Sequence, residues 1–517
     1  MIGWEELRRL ANQLWETPIA ELCHAPHRVH TQLWEAAGIT LDATNTHVTD
    51  TAWPVLLAYA KQVGIDAGFS ALFHEQKVNQ SEDCAATHVL WRRTEKSPTR
   101  SARFLQLREL VDTIRGDVWR GVTNKPFRHI VHIGIGGSDA GPRLLWEALR
   151  SPVEPPRYTV HFLANLDEQA FAESVMGLDP ESTLCIIASK SFATLETDRN
   201  MMRARHWLES SVGPTAWATQ AIAVTAHPER AVSQGFSATH ILPFEMDLGG
   251  RFSIWSSVSL AAILNLGWSV YTDFLAGAEA IDQYVMAHPL ENPATRAALI
   301  DFLYANFMPT ADHVIVPYAH AWRTLPEYLQ QLFLESLGKG ITQNGEPVTT
   351  LTTPACWGGV GTLSQHSFFQ WLHHSPRSVF IELLVSRHDY HQRKNVDMVA
   401  QMLGQSAALR EGRPLPHNTL PGRPGAWAHG NRPHVLIWTD SLSAKNLGAL
   451  LAFYEHRVYA ESMLWHINAF DQWGVECGKQ LAQKTRRVLS GDDDAAISLF
   501  QRELIQRLQL QPMEETV

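Results

Sequence analysis

Over the first hundred residues, apolar positions recur at helical spacing. The stretch 58–67, Ala-Tyr-Ala-Lys-Gln-Val-Gly-Ile-Asp-Ala, is one example, and a polar segment follows at 77–82. This part predicts amphipathic helices joined by loops. From about Phe127 the rhythm changes. Short apolar runs at 129–133, 159–163, 184–188, 221–225 and 240–242 alternate with helical stretches, the first at 142–149, and a Pro-rich connector spans 151–156. A helical stretch over 255–275 follows. Strands are then predicted at 313–316, 379–385 and 435–438, and helices at 326–337, 367–373 and 447–465. Alternation of this kind predicts βαβ units and mostly parallel sheets with helices on both faces, here as two α/β sandwiches in tandem. Residues 411–434, rich in Pro, Gly and His, predict a long surface loop. The tail after Asp471 reads as helical, with a break at 490–494.

A chain of 517 residues exceeds one ordinary core, so two compact domains plus connecting segments are expected. Hydrophobic residues at 45% and charged residues at 19% indicate a globular chain. The formal charge of −10 excludes general attraction to nucleic acid or an anionic membrane, so a phosphorylated ligand requires a local site. Cys23, Cys84, Cys185, Cys356 and Cys477 are scattered and odd in number, which predicts reduced thiols. The opening Met1-Ile-Gly-Trp-Glu-Glu shows no basic run before an apolar stretch, and no run of about 18 apolar residues occurs. A cytoplasmic protein without a membrane span is expected.

Two strand-to-helix turns carry candidate chemistry. In His132-Ile-Gly134-Ile-Gly136-Gly137-Ser138-Asp139, glycines free backbone N–H groups to face an anion at a helix N-terminus. Asp139 stands where a dinucleotide fingerprint needs its third glycine, and no Gly-Lys-Ser/Thr follows, so neither nucleotide motif fits. By itself this segment is either an anion site or a tight turn. In the second, Ser189-Lys190-Ser191-Phe192-Ala193-Thr194-Leu195-Glu196-Thr197, hydroxyls and a lysine cluster where the next helix opens. A helix cap uses one hydroxyl, whereas this donor set suits a phosphate.

Seven ordered blocks now fall into place. They begin with Asn79-Gln-Ser-Glu82 and His88-Val-Leu-Trp-Arg92, taken together as one block, then the 134–139 turn and the 189–197 turn. Gly249-Gly-Arg-Phe-Ser-Ile-Trp-Ser256 and Gln331-Leu-Phe-Leu-Glu-Ser-Leu-Gly-Lys339 follow. The last two are Trp357-Gly-Gly-Val-Gly-Thr-Leu-Ser-Gln-His366 and Phe470-Asp-Gln-Trp-Gly-Val-Glu-Cys-Gly-Lys479. Together they make the chain resemble the glucose-6-phosphate isomerase family over nearly its whole length. The resemblance implies two sugar-isomerase (SIS) α/β/α domains, at 101–278 and 279–475. A helical N-terminal segment, 1–100, packs on the second domain, and a C-terminal tail spans 476–517. It also implies a homodimer whose active site is completed by the partner subunit, a hexose 6-phosphate substrate, and no metal or other cofactor.

The implied reaction interconverts D-glucose 6-phosphate and D-fructose 6-phosphate through ring opening and a cis-enediolate, in glycolysis and gluconeogenesis. By resemblance, Glu335 is the base that shuttles the proton between C2 and C1, and Arg251 stabilises the intermediate. His366 assists ring opening from the neighbouring subunit, with Lys479 near the ring oxygen. Gly137, Ser138, Ser189, Lys190, Ser191, Thr194, Gly250, Gln331 and Gln472 carry over as substrate or phosphate contacts. Without the family, Glu335 reads as a solvated helix carboxylate and Gly249-Gly250-Arg251 as a turn with a surface arginine. His388 and His391 lack a third ligand pattern and make no zinc site. Several positions depart from the family pattern. Ala193 replaces Thr, Leu337 replaces Asn, Gly359-Val360 replaces Glu-Pro, and Leu363-Ser364 replaces Asn-Gly. Other readings are an isomerase that also takes mannose 6-phosphate, a non-catalytic SIS sensor, and a nicotinamide dehydrogenase, which Asp139 opposes.

Overall fold

The computed structural model describes residues 2–95, 97–413, 427–491 and 497–508. The chain divides into two compact units, Met1–Ala469 and Phe470–Val517. Two sheets organise the first unit. One joins β3 (His129–Ile133), β4 (Thr159–Leu163), β5 (Thr183–Ala188), β6 (Ala221–Thr225) and β7 (Ile241–Pro243) in the order β4-β3-β5-β6-β7, every pair parallel. The other joins β1 (Leu33–Ala36), β2 (Ile39–Asp42), β8 (Thr310–Pro317), β9 (Ala355–Gly358), β10 (Ser378–Ser386) and β11 (His434–Thr439) in the order β1-β2-β11-β10-β8-β9. There β8–β11 pair parallel, while β2 runs antiparallel to β11 and β1 to β2. The expected α/β class with mostly parallel sheets is therefore what the chain adopts.

The central strands of each sheet are covered on both faces, which is why they read as mainly apolar runs. On one face of the first sheet, Val131, Ile133, Cys185, Ile187 and Ala223 meet Met201, Ala204, Leu208 and Trp217. The alternate residues Ile130, Ile186, Ile222 and Val224 are equally buried. In the second sheet, Val314, Val316, Ile381 and Leu383 pack on Phe369, Leu372, Met402 and Leu409.

The helix Ala444–Leu464 is buried from Asn446 to its end and carries charges into the core. Arg457 lies among Asp301, Glu382 and Glu461, with Nε 2.8 Å from Asp301 and 3.1 Å from Glu461. Arg92 Nη1 lies 2.9 Å from Glu455, and its Nε lies 3.2 Å from Asp282. Removing one partner from such a cluster leaves a buried charge unpaired, at a cost of about 3–5 kcal/mol.

Four sequence expectations need correction. The N-terminal hundred residues are not only helices and loops. Leu33–Ala36 and Ile39–Asp42 form a hairpin closed by Ala37 and Gly38, both at positive φ (48° and 83°), which extends the second sheet. The helix predicted over 58–67 is two helices, Trp53–Gln62 and Ile65–Phe73, separated at Gly64, whose φ of 83° is left-handed. The stretch 255–275 likewise breaks at Gly267, φ 90°, into Leu260–Leu266 and Trp268–Ala287 after two short 3-10 turns. The short edge strand β9 went unpredicted. Of the loop predicted over 411–434, residues 414–426 lie outside the described residues, and its ends are joined by an Arg413–Ala428 bridge.

The second unit holds the helices Glu476–Leu489 and Leu499–Arg507, the latter opened by a Ser498–Gln501 capping box. In the predicted break at 490–494, residues 492–494 lie outside the described residues. Among the described residues no helix is long and apolar enough to cross a membrane. All five cysteines are free thiols.

Candidate active site

Numbered within itself, the first sheet has strand order 2-1-3-4-5, so its direction of winding reverses between β3 and β5. Open α/β sheets bind ligands at this reversal, beyond the strand C-termini. Both candidate turns leave the sheet here, residues 134–138 from β3 and residues 189–194 from β5.

The turn after β3 is held by a buried histidine. His132 Nε2 lies 2.7 Å from the Ser138 carbonyl, and burial pushes the imidazole below its ordinary pKa, so the neutral ring donates this bond. Gly136 takes φ 60° and ψ −128°, and the helix Gly137–Leu149 starts at once. Asp139 is not aimed at a ligand. It forms a two-oxygen pair with Arg143, at 2.8 Å and 3.1 Å, one helical turn on. A Cβ on Gly137 would meet the Gly250 carbonyl oxygen at 2.0 Å, so only glycine lets the β3 turn touch the segment bearing Arg251.

The turn after β5 is braced from β6. Thr225 Oγ1 (3.2 Å) and the Ala226 N–H (3.2 Å) both donate to the Lys190 carbonyl, and Arg230 Nη1 donates to the Ser191 carbonyl at 2.6 Å. These bonds fix the backbone of the turn. Phe192 sits at φ 49°, unusual for an aromatic residue. Its N–H is fixed by Ser189 Oγ at 3.1 Å and its ring packs on Phe236. Ser189 therefore spends its hydroxyl as an acceptor inside the turn. Thr194 precedes the helix Leu195–Val212 but makes no capping bond with its side chain. Burial lowers the Lys190 pKa. Glu82, Cys84 and Asp247 pull it back up, and Arg251 adds a small push downward.

Arg251, Glu335 and Gln331 come together. Arg251 lies in a single 3-10 turn and is 2% exposed, whereas Glu335 projects from the helix Leu325–Leu337 with its side chain 31% exposed. Arg251 Nη1 is 3.4 Å from Glu335 Oε2, and Gln331 Nε2, one turn earlier, is 3.3 Å from the same oxygen. The segment behind Arg251 is anchored in the core. Trp255 Nε1 donates to Glu455 at 2.8 Å, and the Tyr271 hydroxyl donates to the Trp255 carbonyl at 2.6 Å. Burial pushes the Glu455 carboxyl up, against the pull of Arg92 and Trp255. The 79–82 block is tied to Asn468, next to the Ala469 carbonyl on which Arg251 rests, since Asn468 Nδ2 donates to Asn79 Oδ1 at 2.8 Å and to Ser81 Oγ at 3.0 Å.

Three further predicted residues lie on other elements. His366 is exposed on the turn after the Gly361–Ser364 helix, beside Leu363, which is 71% exposed, and no hydrogen bond joins it to Glu335 among the described residues. Gln472 and Lys479 belong to the second unit, where Lys479 Nζ is 2.8 Å from Glu476 Oε1 and largely exposed. The two histidines rejected as a zinc pair also look elsewhere, with His388 Nδ1 on the Asp440 carbonyl at 2.7 Å. Asp301, His313 and Glu382 do bring possible ligand atoms within 4.8 Å of one another. Arg457 sits among them as the balancing cation, so the cluster reads as an ion-pair core.

Sequence reasoning missed His132 and Ser336. His132 was visible as a polar residue in an apolar strand. Ser336, whose Oγ accepts from Arg251 Nε at 2.6 Å, had no local signal.

Comparison with known proteins shows the family of the chain. The phosphoglucose isomerase family model matches residues 42–501, most of the chain. The chain belongs to the phosphoglucose isomerase family. Its relatives include the glucose-6-phosphate isomerase of Ectopseudomonas mendocina, 36% identical over 501 residues and covering 90% of this chain and 89% of that protein. The Cupriavidus metallidurans glucose-6-phosphate isomerase is 34% identical, covering 98% and 97%. Among solved structures, the glucose-6-phosphate isomerase of Chlamydia trachomatis superposes with a TM-score of 0.85 at 26% identity, covering 98% of each chain. A hypothetical protein from Thermus thermophilus shares the fold, with a TM-score of 0.67 at 22% identity over 86% of this chain and 99% of that one.

Proposed function

We propose that this chain interconverts D-glucose 6-phosphate and D-fructose 6-phosphate by proton transfer through an enediolate, as a step of glycolysis and gluconeogenesis. The observation that carries the reading is the meeting of Arg251 Nη1 and Glu335 Oε2 at 3.4 Å beside the switch point of the first sheet. A carboxylate can take a proton from C2 and return it at C1. A guanidinium stays charged throughout and steadies the negative oxygens without competing as an acid. Ser138, Ser191, Thr194 and Lys190 hold the phosphate at the two turns, where Gly137 and Ser189 shape the backbone. Gly250, Gln331 and Gln472 contact the sugar.

His366 and Lys479 act at the ring oxygen in this proposal, and His366 does so in the site of a second subunit. Its exposure next to an exposed Leu363 supports a homodimer whose partners complete each other's sites. Mixing inactive His366→Ala and Glu335→Gln chains tests this, because heterodimers then regain one intact site. Heterodimers without activity would contradict the shared site. The proposed domain limits remain 1–100, 101–278, 279–475 and 476–517, and the proposed location is cytoplasmic. A coupled assay with fructose 6-phosphate in the presence of a chelator tests reaction class and metal independence together. Glucose 6-phosphate formation is expected, and its absence from folded protein would overturn the reading.

A further inference from the structure

The Arg251 guanidinium is oriented by buried groups. Nε donates to Ser336 Oγ at 2.6 Å, and Nη2 donates to the Ala469 carbonyl at 2.5 Å. Two donors fixed in one rigid plane determine where the remaining nitrogen points, and Nη1 is the one turned to Glu335 Oε2. Ser336 is wholly buried and Arg251 nearly so, which keeps water from replacing the hydroxyl. Ser336 also follows Glu335 directly on the Leu325–Leu337 helix. The same helical turn therefore carries the carboxylate on its partly exposed side and the brace for its cation on the buried side, so any rigid shift of the helix moves both together.

We infer that Ser336 is a positioning residue for isomerisation, acting through Arg251 to hold the guanidinium where charge develops on the substrate oxygens. This rests on the proposed roles of Glu335 and Arg251. The ground-state sugar phosphate is anchored elsewhere, at the turns after β3 and β5, so loss of the brace should act on turnover and not on binding. Removing a buried hydrogen bond to a charged group corresponds to roughly a 10- to 100-fold loss.

The test is a double-mutant cycle of Ser336→Ala and Arg251→Lys, read by steady-state kinetics with fructose 6-phosphate. Melting temperatures and the affinities of two inhibitors complete the measurements. One inhibitor is a phosphorylated aldonohydroxamate, which mimics the planar enediolate, and the other is a hexitol 6-phosphate, which mimics only the chain and its phosphate. Ser336→Ala is expected to lower kcat by about 10- to 100-fold with KM within about threefold, and to weaken the hydroxamate but not the hexitol phosphate. In the Arg251→Lys background, where no Nε–H exists to be braced, Ser336→Ala should change kcat less than about twofold. A Ser336→Ala enzyme with wild-type kcat, or losses that multiply fully in the double variant, would overturn the inference. An inactive wild type, or a fully active Arg251→Lys enzyme, would instead count against the function proposed above.

Discussion

The contact between Gly137 and Gly250 makes a sharp prediction about how tightly the site is built. A methyl group at 137 would lie 2.0 Å from the Gly250 oxygen, 2.2 Å from its carbonyl carbon and 2.6 Å from the Arg251 nitrogen. All three are backbone atoms, so no rotamer change relieves the overlap. To reach an ordinary contact near 3.4 Å, the β3 turn and the Arg251 segment must part by about 1.4 Å. A shift of that size in the Arg251 segment disturbs the 2.6 Å bond between Arg251 Nε and Ser336 Oγ. A misplacement of about 1 Å at a reacting centre costs on the order of 100-fold in rate. Overpacking also destabilises by about 1–3 kcal/mol. Gly137→Ala should therefore fold, melt a few degrees lower, and lose at least about 100-fold in kcat/KM in the coupled assay. Gly250→Ala is the matched control, because a Cβ there meets nothing within 4 Å. It should melt with the wild type and raise KM, since the sugar is placed against it. A Gly137→Ala enzyme with kcat/KM within about threefold of wild type would refute the reasoning.

Two other perturbations probe the fold and the family departures. His434 is buried, with Nδ1 2.8 Å from the Arg432 carbonyl and Nε2 2.7 Å from Ser406 Oγ, and burial holds its pKa down at about 4. The unfolded chain takes up this proton and the folded one refuses it, so stability is lost as pH falls from 6.5 toward 4. By pH 5 the loss is about 2 kcal/mol. Denaturant melts at pH 7 and pH 5 should show His434→Gln to be less acid-sensitive than wild type by that amount, and equal sensitivity would contradict the assignment. At Gly359, a Cβ would sit 3.1 Å from Ser364 Oγ, so these two departures from the family pattern are coupled in space. Gly359→Ala should lower stability by about 1 kcal/mol, and adding Ser364→Gly should recover it. Additive losses would show the two positions to be independent.

The elements that could be read from the sequence are those whose burial leaves a long, uniform signature. Strands β3, β5, β6 and β10 are buried on both faces and mainly apolar, and the helix Leu325–Leu337 has a clear stripe. The hairpin β1–β2 was missed because its signal is two four-residue runs around Ala37-Gly38, inside a segment otherwise spaced like helices. Strand β9 is equally short and sits at an edge beside Pro354 and Gly359. The breaks at Gly64 and Gly267 follow from positive φ, which the apolar spacing does not reveal. At the site, family blocks named Glu335, Arg251 and Gln331, and the structure brings them together across 84 positions of sequence. Ser336, His132 and the Gly137–Gly250 contact depend on tertiary neighbours, so no spacing rule could have assigned their partners.

The central claim is that Glu335 moves the C2 proton. Its most direct measurement follows exchange of the substrate C2 hydrogen with solvent deuterium by NMR, in wild type and in Glu335→Gln. The wild type should exchange that hydrogen, while the variant binds a hexitol 6-phosphate normally yet leaves it in place. Exchange at a near wild-type rate in Glu335→Gln would contradict the account.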